Sequence, residues 1–472
     1  MHSPVELRSH ERRREMKIGY IGLGALGSQL ARRFLPDHSL CVWDINAAAA
    51  NTLAAHGAEV APTASELARR SDIVFLCLPR SSDVERVMFG ADGLAAGLSA
   101  GKLVIDQTSG VPETTRDIAD KLAKSGIDMM DAAVSASPHI VAAGGATLMV
   151  AASDAVLERA MPALQAITPT IYRCGSRVGD GQAMKTVNNA MNAGCRLGTL
   201  EVVAAGRKAG LSLAFMSDFL GRSDARNQTT EKMLPALVQQ KSSTNFALSL
   251  MLKDVAQAVS LGISQRVPMP VTGIVRGLLQ IGVNTLGNGA QLEDMVGLIE
   301  SMAGTRLADD ASQEFDRSAV HRDAEQETVA LVSDAIGALS RLISFECIAA
   351  GLRYGLALDD MSQVINKSSG WSDASKSVFA ELLSGTRHDG ADLKKIMTRM
   401  DAACMLGDDC GAPMLIANAV RCLLEQALNH AGENARLDEL AAFYDDMANV
   451  RLTPSHQTAS APARQFRPAI HY

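Results

Sequence analysis

The sequence predicts an α/β Rossmann domain with a mostly parallel, doubly wound sheet, followed by an all-α domain that contains a tandem helical repeat. Short β-branched runs alternate with amphipathic stretches from residue 16 to about residue 175, which is typical of βαβ units. Helical patterns alone continue from there to about residue 447. The helical part also repeats itself at a constant offset of 145 residues.

The elements of the first part follow one another in a strand–helix order. Strands are predicted at residues 17–21, 40–43, 73–78, 103–106, 127–131 and 147–151, and helices at 27–35, 66–70, 82–88 and 112–124. A long helix is predicted from about residue 181 to 209. Its interior glycines, Gly194, Gly198 and Gly206, lower helix propensity. We therefore expect another helix backbone to approach closely at these positions.

The helical repeat sets the domain boundaries. The segment EVVAAG at 201–206 corresponds to ECIAAG at 346–351, and the register continues to the Pro-Met pairs at 268–269 and 413–414. An ungapped register over about 70 residues favours duplication over chance similarity between two Ala- and Leu-rich segments. The predicted units are a disordered arm (1–15), a Rossmann domain (16–178), helical repeat one (179–315), helical repeat two (316–450) and a tail (451–472).

Composition argues against several classes of function. The chain has 472 residues and a formal net charge of −7, and its one basic cluster, at 12–14, is flanked by Glu11 and Glu15, so no nucleic-acid partner is expected. Eight single cysteines are expected to be free thiols, although an even number leaves a disulfide framework open. Ten scattered histidines predict no metal site. No apolar leader and no unbroken apolar run of 18 residues are found, which predicts a cytoplasmic protein without a membrane span.

A glycine-rich turn, GLGALG, follows the first predicted strand. In such a G-x-G-x-x-G turn, the first glycine makes the tight turn, the second lets the backbone approach a pyrophosphate, and the third lets helix and strand pack closely. Glycine-rich turns also occur at purely structural junctions, but here a strand precedes the motif, a helix follows it, and an aspartate ends the second strand. The predicted cofactor-binding residues of this region are Gly22, Leu23, Gly24, Ala25, Leu26, Gly27, Asp44 and Ile45.

Asp44 favours NAD over NADP as the cofactor. A carboxylate at this position accepts hydrogen bonds from the ribose hydroxyls and repels a 2′-phosphate. Ile45 and Asn46 follow it, and no Arg or Lys lies nearby in sequence to bind that phosphate. The alternative is that Asp44 only caps the next helix, a task that Asn46 could perform instead.

At these motifs the chain resembles the β-hydroxyacid dehydrogenase family, which includes 3-hydroxyisobutyrate dehydrogenases and, more distantly, 6-phosphogluconate dehydrogenases. The resemblance covers roughly residues 16 to 275. The loop that begins at Cys77 and the segment DQTS at 106–109 resemble the family's loops beside the nicotinamide ribose and the nicotinamide. The resemblance implies cofactor contacts for Leu78, Pro79 and Thr108, with helix capping as the alternative.

The segment DAAVSAS at 131–137 resembles the family's D-A-P-V-S-G-G substrate segment. The resemblance implies that Ser135, with Ala136 and Ser137, binds the substrate carboxylate. Both glycines of that pattern are replaced here, and each replacement adds bulk where a substrate would lie close. The identity of the substrate therefore stays open. His139 is the only histidine near this segment, and a solvated loop position is expected for it.

The segment GDGQAMKTVNN at 179–189 resembles the family's G-x-G-x-x-x-K-x-x-N-N motif. This resemblance implies that Lys185 is the catalytic residue. Lys185 and Asn189 are four residues apart and share a helix face. A lysine desolvated in a closing cleft has a lowered pKa, so it can exchange a proton with the substrate oxygen while hydride moves. Asn188 and Asn189 are expected to orient the substrate. Lys253 resembles the lysine of the family's later K-D motif, which implies contact with substrate or cofactor; a surface ion pair is the alternative.

Together these features predict an NAD-dependent oxidoreductase that transfers hydride between the nicotinamide and the hydroxyl-bearing carbon of a small β-hydroxy acid. Two alternatives remain. An imine reductase-like enzyme is disfavoured by Lys185, and a non-catalytic dinucleotide-binding or scaffold protein is suggested by the replaced glycines. Repeat two lacks the chemistry, since Ala330 and Asp334 stand where repeat one has Lys185 and Asn189. We expect repeat two to act as an internal pseudo-partner, with a homodimer as the other possibility.

Overall fold

The structure is a computed structural model that describes residues 15–308, 319–385, 392–432 and 434–452, with the backbone alone at 319–322. The predicted arm and tail lie outside the described residues, apart from residues 15 and 451–452. The predicted boundary between the two helical repeats, near residue 315, also lies outside them.

An eight-stranded sheet forms the N-terminal domain, in the order β3-β2-β1-β4-β5-β6-β7-β8. All neighbouring strands are parallel except β6 and β7. The strand order reverses between β1 and β4, and open α/β sheets bind ligands in the crevice at such a point. The predicted Rossmann fold is confirmed. The strands are β1 (Lys17–Ile21), β2 (Ser39–Trp43), β3 (Glu59–Val60), β4 (Ile73–Leu76), β5 (Leu103–Asp106), β6 (Asp128–Ser135), β7 (Thr147–Ala151) and β8 (Thr170–Arg173).

Helices cover both faces of this sheet, and each face has its own apolar core. Neighbouring residues of β4 alternate between the two cores, with Phe75 in one and Val74 in the other. This double burial explains why the central strands are continuous apolar runs. The helices are α1 (Gly27–Arg32), α2 (Ala47–Ala54), α3 (Ala64–Arg70), α4 (Ser81–Phe89), α5 (Pro112–Ala123), α6 (Pro138–Ala142) and α7 (Asp154–Ile167), with a short 3-10 turn at Leu94–Ala96.

The sheet differs from the predicted one at three places. The sequence did not predict β3 or β8. Strand β3 is only two residues long and both are exposed, and β8 is only partly buried, so neither forms a buried apolar run. Strand β4 ends at Leu76, since the chain leaves the sheet at Cys77. Strand β6 extends to Ser135 because it pairs with the antiparallel β7 along this length. The segment that carries Ser135 is therefore the end of a strand.

The rest of the described chain is helical, and one apolar core runs through both repeats. This part also includes a π-helical turn at Thr229–Met233 and a 3-10 turn at Leu292–Asp294. The helices of the first repeat are α8 (Asp180–Lys208), α9 (Leu213–Leu220), α10 (Leu234–Val238), α11 (Leu248–Gln265), α12 (Pro270–Leu286) and α13 (Met295–Ala303). The helices of the second are α14 (Ala319–Tyr354), α15 (Leu358–Ile365), α16 (Asp373–Ser384), α17 (Leu393–Cys410), α18 (Leu415–Ala431) and α19 (Glu439–Ala448).

The long helices α8 and α14 pack against each other through the glycines of α8. A Cβ atom at Gly194 would lie 3.0 Å from Ile343, and one at Gly198 would lie 2.7 Å from Leu339. The offset of 145 residues relates Gly194 to Leu339 and Gly198 to Ile343, so the two contacts are reciprocal. The predicted close approach of a second long helix is confirmed at Gly194 and Gly198, whereas at Gly206 the nearest atom to such a Cβ is the sulfur of Met216 on α9, at 2.7 Å. Such reciprocity is what a pseudo-twofold axis through the crossing produces.

The two repeats also exchange helix caps. Glu346 in α14 accepts hydrogen bonds from the backbone N–H groups of Val271 and Thr272, in the first turn of α12, at 2.8 and 3.0 Å. In the same way, Glu201 in α8 accepts a hydrogen bond at 2.9 Å from the N–H of Ile416, in the first turn of α18. Each carboxylate satisfies N–H groups that a helix leaves without internal partners. The repeats are therefore interlocked, and neither caps its own helix at this position.

One helical segment of the described residues, Asp323–Tyr354, is long and apolar enough to cross a membrane by length and composition. In the structure 83% of its most apolar window is buried inside the protein. It packs mainly against α8, α16 and α17. We therefore interpret it as the central helix of the fold. The predicted cytoplasmic location stays a prediction.

Candidate active site

The glycine-rich turn has the geometry expected of a pyrophosphate cradle. Gly22 has a φ angle of +93°, and a Cβ atom there would lie 2.2 Å from the carbonyl oxygen of Cys77. A Cβ atom at Gly27 would lie 2.0 Å from the carbonyl oxygen of Gly22. Gly24 differs, because a Cβ atom there would meet nothing within 4 Å, and the neighbouring Ala25 is also exposed. The first and third glycines are thus required by packing, while the second faces open space that suits a phosphate group.

A cavity of about 600 Å³ adjoins this turn at the carboxyl ends of β1, β2 and β4. Its position matches the crevice in which Rossmann domains hold the adenosine half of a dinucleotide. Five of the residues predicted from sequence to bind the cofactor line it, namely Gly22, Asp44, Ile45, Leu78 and Pro79.

Asp44 is held in place by the backbone. Its carboxylate accepts hydrogen bonds from the N–H groups of Leu23, at 2.6 Å, and Asn46, at 2.7 Å. Asn46, and not Asp44, caps α2 by accepting a hydrogen bond from the N–H of Ala48. Ile45 projects beside Asp44 with 91% of its surface exposed. The structure therefore does not support the alternative that Asp44 only caps α2.

A second cavity, of about 270 Å³, lies between the sheet domain and the helical repeats. The sheet domain supplies part of the wall from the glycine-rich turn, from the end of β6 and from Ser109. Helices α8 and α11 supply the opposite wall. The residues predicted from sequence to lie here that do line it are Leu26, Ser135, Ala136, Ser137, Lys185, Asn189 and Lys253.

Lys185 is positioned by a buried anchor at the start of α8. The carboxylate of Asp131, on β6, accepts hydrogen bonds from the N–H groups of Gly179, at 2.6 Å, and Gln182, at 2.8 Å. This anchor holds the first turn of α8 against the sheet. Lys185 lies one turn later, and its Nζ donates a hydrogen bond to the carbonyl oxygen of Val134 at 2.6 Å. Burial lowers the pKa of Lys185, an effect that the nearby Asp254 opposes.

A polar network joins α8, α11 and the loop after β5. The Nδ2 of Asn189 donates to Asp254 at 2.7 Å, and the ammonium of Lys253 lies 3.4 Å from the other oxygen of that carboxylate. Lys253 also donates to the carbonyl oxygen of Ser109 at 2.9 Å. Lys253 is therefore a cavity residue that bridges the two domains, and the alternative of a plain surface ion pair does not describe it. Asp254 joins it on the cavity wall.

Of the predicted site residues, Thr108 and Asn188 line neither cavity, and neither do Leu23, Gly24, Ala25 and Gly27 of the glycine-rich turn. Thr108 is buried, and its hydroxyl accepts a hydrogen bond at 3.1 Å from the N–H of Leu78, so it shapes the cofactor loop from behind. Asn188 is fully buried and faces repeat two, where it bonds to Ser369 and to the N–H of Gly370. One residue along a helix turns the side chain by about 100°, so Asn188 and Asn189 face different neighbours.

Sequence reasoning missed two residues that continue the polar face of α8. Asn192 and Arg196 line the cavity together with Lys185 and Asn189. Their spacing of four, three and four residues places all of them on one helix face. Polar residues at that spacing in an otherwise apolar helix were a usable signal. Lys232 and Ser369 also line the cavity, and Ser369 comes from repeat two, which no local pattern indicates.

No group of three or more metal-ligating side chains occurs among residues that the structure describes. His139 is exposed and lies beside the hydroxyl of Ser137, at 3.1 Å, without reaching the cavity wall.

Repeat two contains a cavity at the equivalent place, with different chemistry. Its wall includes Asp334, Gly337, Arg341 and Arg399, which lie 145 residues after Asn189, Asn192, Arg196 and Asp254. There Arg399 forms an ion pair with Asp334 at 2.5 Å. The second copy has kept a cavity and an arginine at this place, while the residues at the positions of Asn189, Asn192 and Asp254 differ.

Family comparisons agree with this architecture. The model for the NAD binding domain of 6-phosphogluconate dehydrogenase matches residues 17–175. A model described as NAD-binding of NADP-dependent 3-hydroxyisobutyrate dehydrogenase matches twice, at residues 179–299 and 326–444. Two matches to one model confirm the predicted tandem repeat.

Individual relatives give the same result. The 2-(hydroxymethyl)glutarate dehydrogenase of Eubacterium barkeri is 34% identical over 301 residues, which is 62% of this chain and 98% of that protein. The NAD-dependent L-serine dehydrogenase of Pseudomonas aeruginosa is 32% identical, over 51% of this chain and 84% of that protein. The structure of Mycobacterium tuberculosis 3-hydroxyisobutyrate dehydrogenase with L-serine shares the fold, with a TM-score of 0.57 and 24% identity over 60% of this chain and 99% of that one.

Nearly the whole of the first relative thus corresponds to 62% of this chain, and the remaining length accommodates the additional helical repeat. The matched models cover the sheet domain and both helical repeats. The chain belongs to the β-hydroxyacid dehydrogenase family of NAD(P)-dependent oxidoreductases.

Proposed function

We propose that this protein is an NAD-dependent dehydrogenase of a small β-hydroxy acid, with Lys185 as its general acid and base. The observation that carries the proposal is the buried ammonium of Lys185 in the cavity between the two domains, together with Ser135 and Asn189. The relatives' names support the substrate class, because 2-(hydroxymethyl)glutarate, L-serine and 3-hydroxyisobutyrate all carry a hydroxyl β to a carboxylate.

The residues at the glycine-rich turn fit a dinucleotide. The open space at Gly24 suits the pyrophosphate, and the cavity beside Asp44 suits the adenosine. Asp44 already accepts two backbone hydrogen bonds, but a carboxylate has further lone pairs for ribose hydroxyls. The guanidinium of Arg86 lines the same cavity and forms an ion pair with Asp83 at 3.1 Å. We infer a preference for NAD, because Asp44 would repel a 2′-phosphate.

The cavity residues divide the remaining work. When bound, the nicotinamide exchanges hydride with the hydroxyl-bearing carbon. In oxidation the neutral amine of Lys185 takes the hydroxyl proton, and in reduction the ammonium returns it. Burial favours the neutral amine and therefore brings the pKa of Lys185 toward the working range. Ser135 and Asn189 hold the substrate carboxylate and hydroxyl, and Asp254 fixes the amide of Asn189 through their 2.7 Å hydrogen bond.

The proposal is tested by measuring kcat/KM for a panel of β-hydroxy acids with NAD+ and NADP+. We expect turnover with NAD+ and a loss of about 10²- to 10⁴-fold in Lys185→Met, since general acid–base catalysis contributes that much. Lys124→Met is the matched control, because this lysine is exposed on the sheet domain, and its activity should equal that of the wild type. NADH binding without turnover of any acid would contradict the proposal and favour a non-catalytic protein.

We further propose that repeat two takes the place of a partner subunit. Ser369 of repeat two lines the cavity, and Asn188 of α8 bonds to it and to Gly370. Glu201 of repeat one caps a helix of repeat two, and Glu346 of repeat two caps a helix of repeat one, which supports one interlocked unit. We expect light scattering of the active enzyme to give a mass near 49.9 kDa. An active enzyme found only at twice that mass would contradict this second proposal.

A further inference from the structure

Arg196 is a buried cation that pairs with no carboxylate among the residues that the structure describes. It is 5% exposed and lines the same cavity as Lys185. Its Nη1 donates to the sulfur of Met233 at 3.2 Å, and its Nε has no partner among the described residues. Burial lowers the pKa of Arg196 to about 10, against the opposing effect of Glu293, so the group stays charged at neutral pH. Burying an unpaired charge is costly, so this guanidinium calls for a counterion.

Asn192 independently indicates that a polar ligand binds here. It lies one turn before Arg196 on α8, is 7% exposed, and lines the cavity. Its side-chain oxygen has no hydrogen-bond partner among the residues described. Lys232 also lines this cavity and adds a further donor. Buried polar groups without partners are uncommon in native structures, and two neighbouring ones in a cavity wall indicate a polar ligand.

The duplicated repeat shows what an internal counterion would look like. Arg341 lies 145 residues after Arg196 and lines the equivalent cavity. It forms an ion pair with Glu381 at 3.0 Å. The residue of repeat one at the place of Glu381 is Ala236. The arginine at this position therefore has its own carboxylate partner in repeat two, whereas none pairs with it in the described part of repeat one.

We propose that Arg196, with Asn192 and Lys232, forms a second anion subsite, and that the substrate is a β-hydroxy acid with a second carboxylate. This inference rests on the proposed dehydrogenase function. Arg196 follows Lys185 by 11 residues, which separates their backbones by roughly 16 Å along the helix axis, and both residues line the same cavity. The second carboxylate would therefore lie at the end of the substrate opposite the reacting carbon. A planar guanidinium binds a carboxylate through two parallel hydrogen bonds, which favours this group.

Turnover of matched acids tests the subsite. The pair is 2-(hydroxymethyl)glutarate and 2-(hydroxymethyl)pentanoate, which differ only in whether the far end is a carboxylate or a methyl group. We expect kcat/KM to favour the dicarboxylate by about 10- to 100-fold, as hydrogen bonds to charged groups imply. Arg196→Met should reduce that preference to about threefold or less, and Arg196→Lys should give an intermediate value. Arg341→Met, the control from repeat two, should keep the wild-type preference.

A binding measurement separates this inference from the proposed function. Calorimetry on the full chain with NADH should show that glutarate binds more tightly than pentanoate, in which a methyl group replaces one carboxylate, and that Arg196→Met removes the difference. Absence of turnover with both hydroxy acids would contradict the dehydrogenase, while this binding result would still decide the subsite. Equal binding of glutarate and pentanoate would overturn the subsite. Preference for 2-(hydroxymethyl)-4-phosphonobutanoate over the dicarboxylate would overturn the assignment of a carboxylate.

Discussion

Replacing Glu346 by alanine tests whether the two helical repeats form one interlocked unit. The carboxylate is fully buried and accepts hydrogen bonds from the N–H groups of Val271 and Thr272 and from the hydroxyl of Thr272, at 2.8, 3.0 and 2.8 Å. Alanine leaves both N–H groups without an acceptor. Each unsatisfied buried donor costs about 1–3 kcal/mol, so we expect the two N–H groups together to lower the free energy of unfolding by about 2–6 kcal/mol.

The assay is unfolding in guanidinium chloride, followed by circular dichroism and by the fluorescence of Trp371 and Trp43, which lie in repeat two and the sheet domain. Glu425→Ala is the control, because this residue forms only an exposed, 4.0 Å ion pair with Arg421 and should change stability by about 0.5 kcal/mol or less. A loss below about 1 kcal/mol for Glu346→Ala would refute the idea that this cap joins the repeats.

The same carboxylate gives the stability a pH dependence. Burial raises the pKa of Glu346 from 4.5 to about 7, against the hydrogen bonds from Val271 and Thr272. Between these two values the folded protein binds the proton more tightly than the unfolded chain does, so stability falls as pH rises from about 4.5 to about 7. Glu346→Gln does not titrate. We therefore expect the stability of the wild type relative to Glu346→Gln to decrease between pH 5 and pH 7, and a constant difference would contradict this.

Four further substitutions test the cofactor cradle and the contact between the repeats. Gly24→Ala should keep the thermal stability and raise the Kd for NADH, because its Cβ enters the open cradle. Gly22→Ala should instead lower the thermal stability, because its Cβ would lie 2.2 Å from the carbonyl oxygen of Cys77. Equal thermal stability of the two variants would contradict this. Asp44→Ala should raise the Kd for NADH about tenfold and bring the Kd values for NADH and NADPH closer together. Titration of nicotinamide fluorescence measures both Kd values. Gly370→Val should raise KM severalfold at unchanged NADH affinity, because a Cβ atom there lies 2.6 Å from a backbone oxygen; an unchanged KM would show that this contact does not shape the cavity.

The features that sequence predicted best are those fixed by local chemistry. The glycine-rich turn, the position of Asp44 directly after β2 and the long helix that carries Lys185 follow from spacing along the chain. The close approach at Gly194 and Gly198 was predictable for the same reason, since glycines inside a helix lower its propensity unless packing requires them. Internal self-similarity was enough to predict the duplication.

The features that sequence missed depend on which residues meet in three dimensions. Asn188 and Asn189 are neighbours in one motif, but they face different partners, because repeat two occupies one side of α8. Ser369 reaches the cavity from 180 residues further along the chain than Asn189. Arg196 could have been found from helical spacing alone, but its missing counterion becomes visible only beside the pair of Arg341 and Glu381.

The pH dependence of hydroxy-acid oxidation tests the role of Lys185 most directly. The base must be neutral to accept the hydroxyl proton, so kcat/KM should rise with pH as Lys185 loses its proton. The rise should level off below the ordinary lysine pKa of 10.5, because burial in the cavity lowers this pKa. In Lys185→Met the rising limb should disappear, and the residual rate should not change over the same range. A limb that persists unchanged in Lys185→Met would assign the proton transfer to another group and contradict the mechanism.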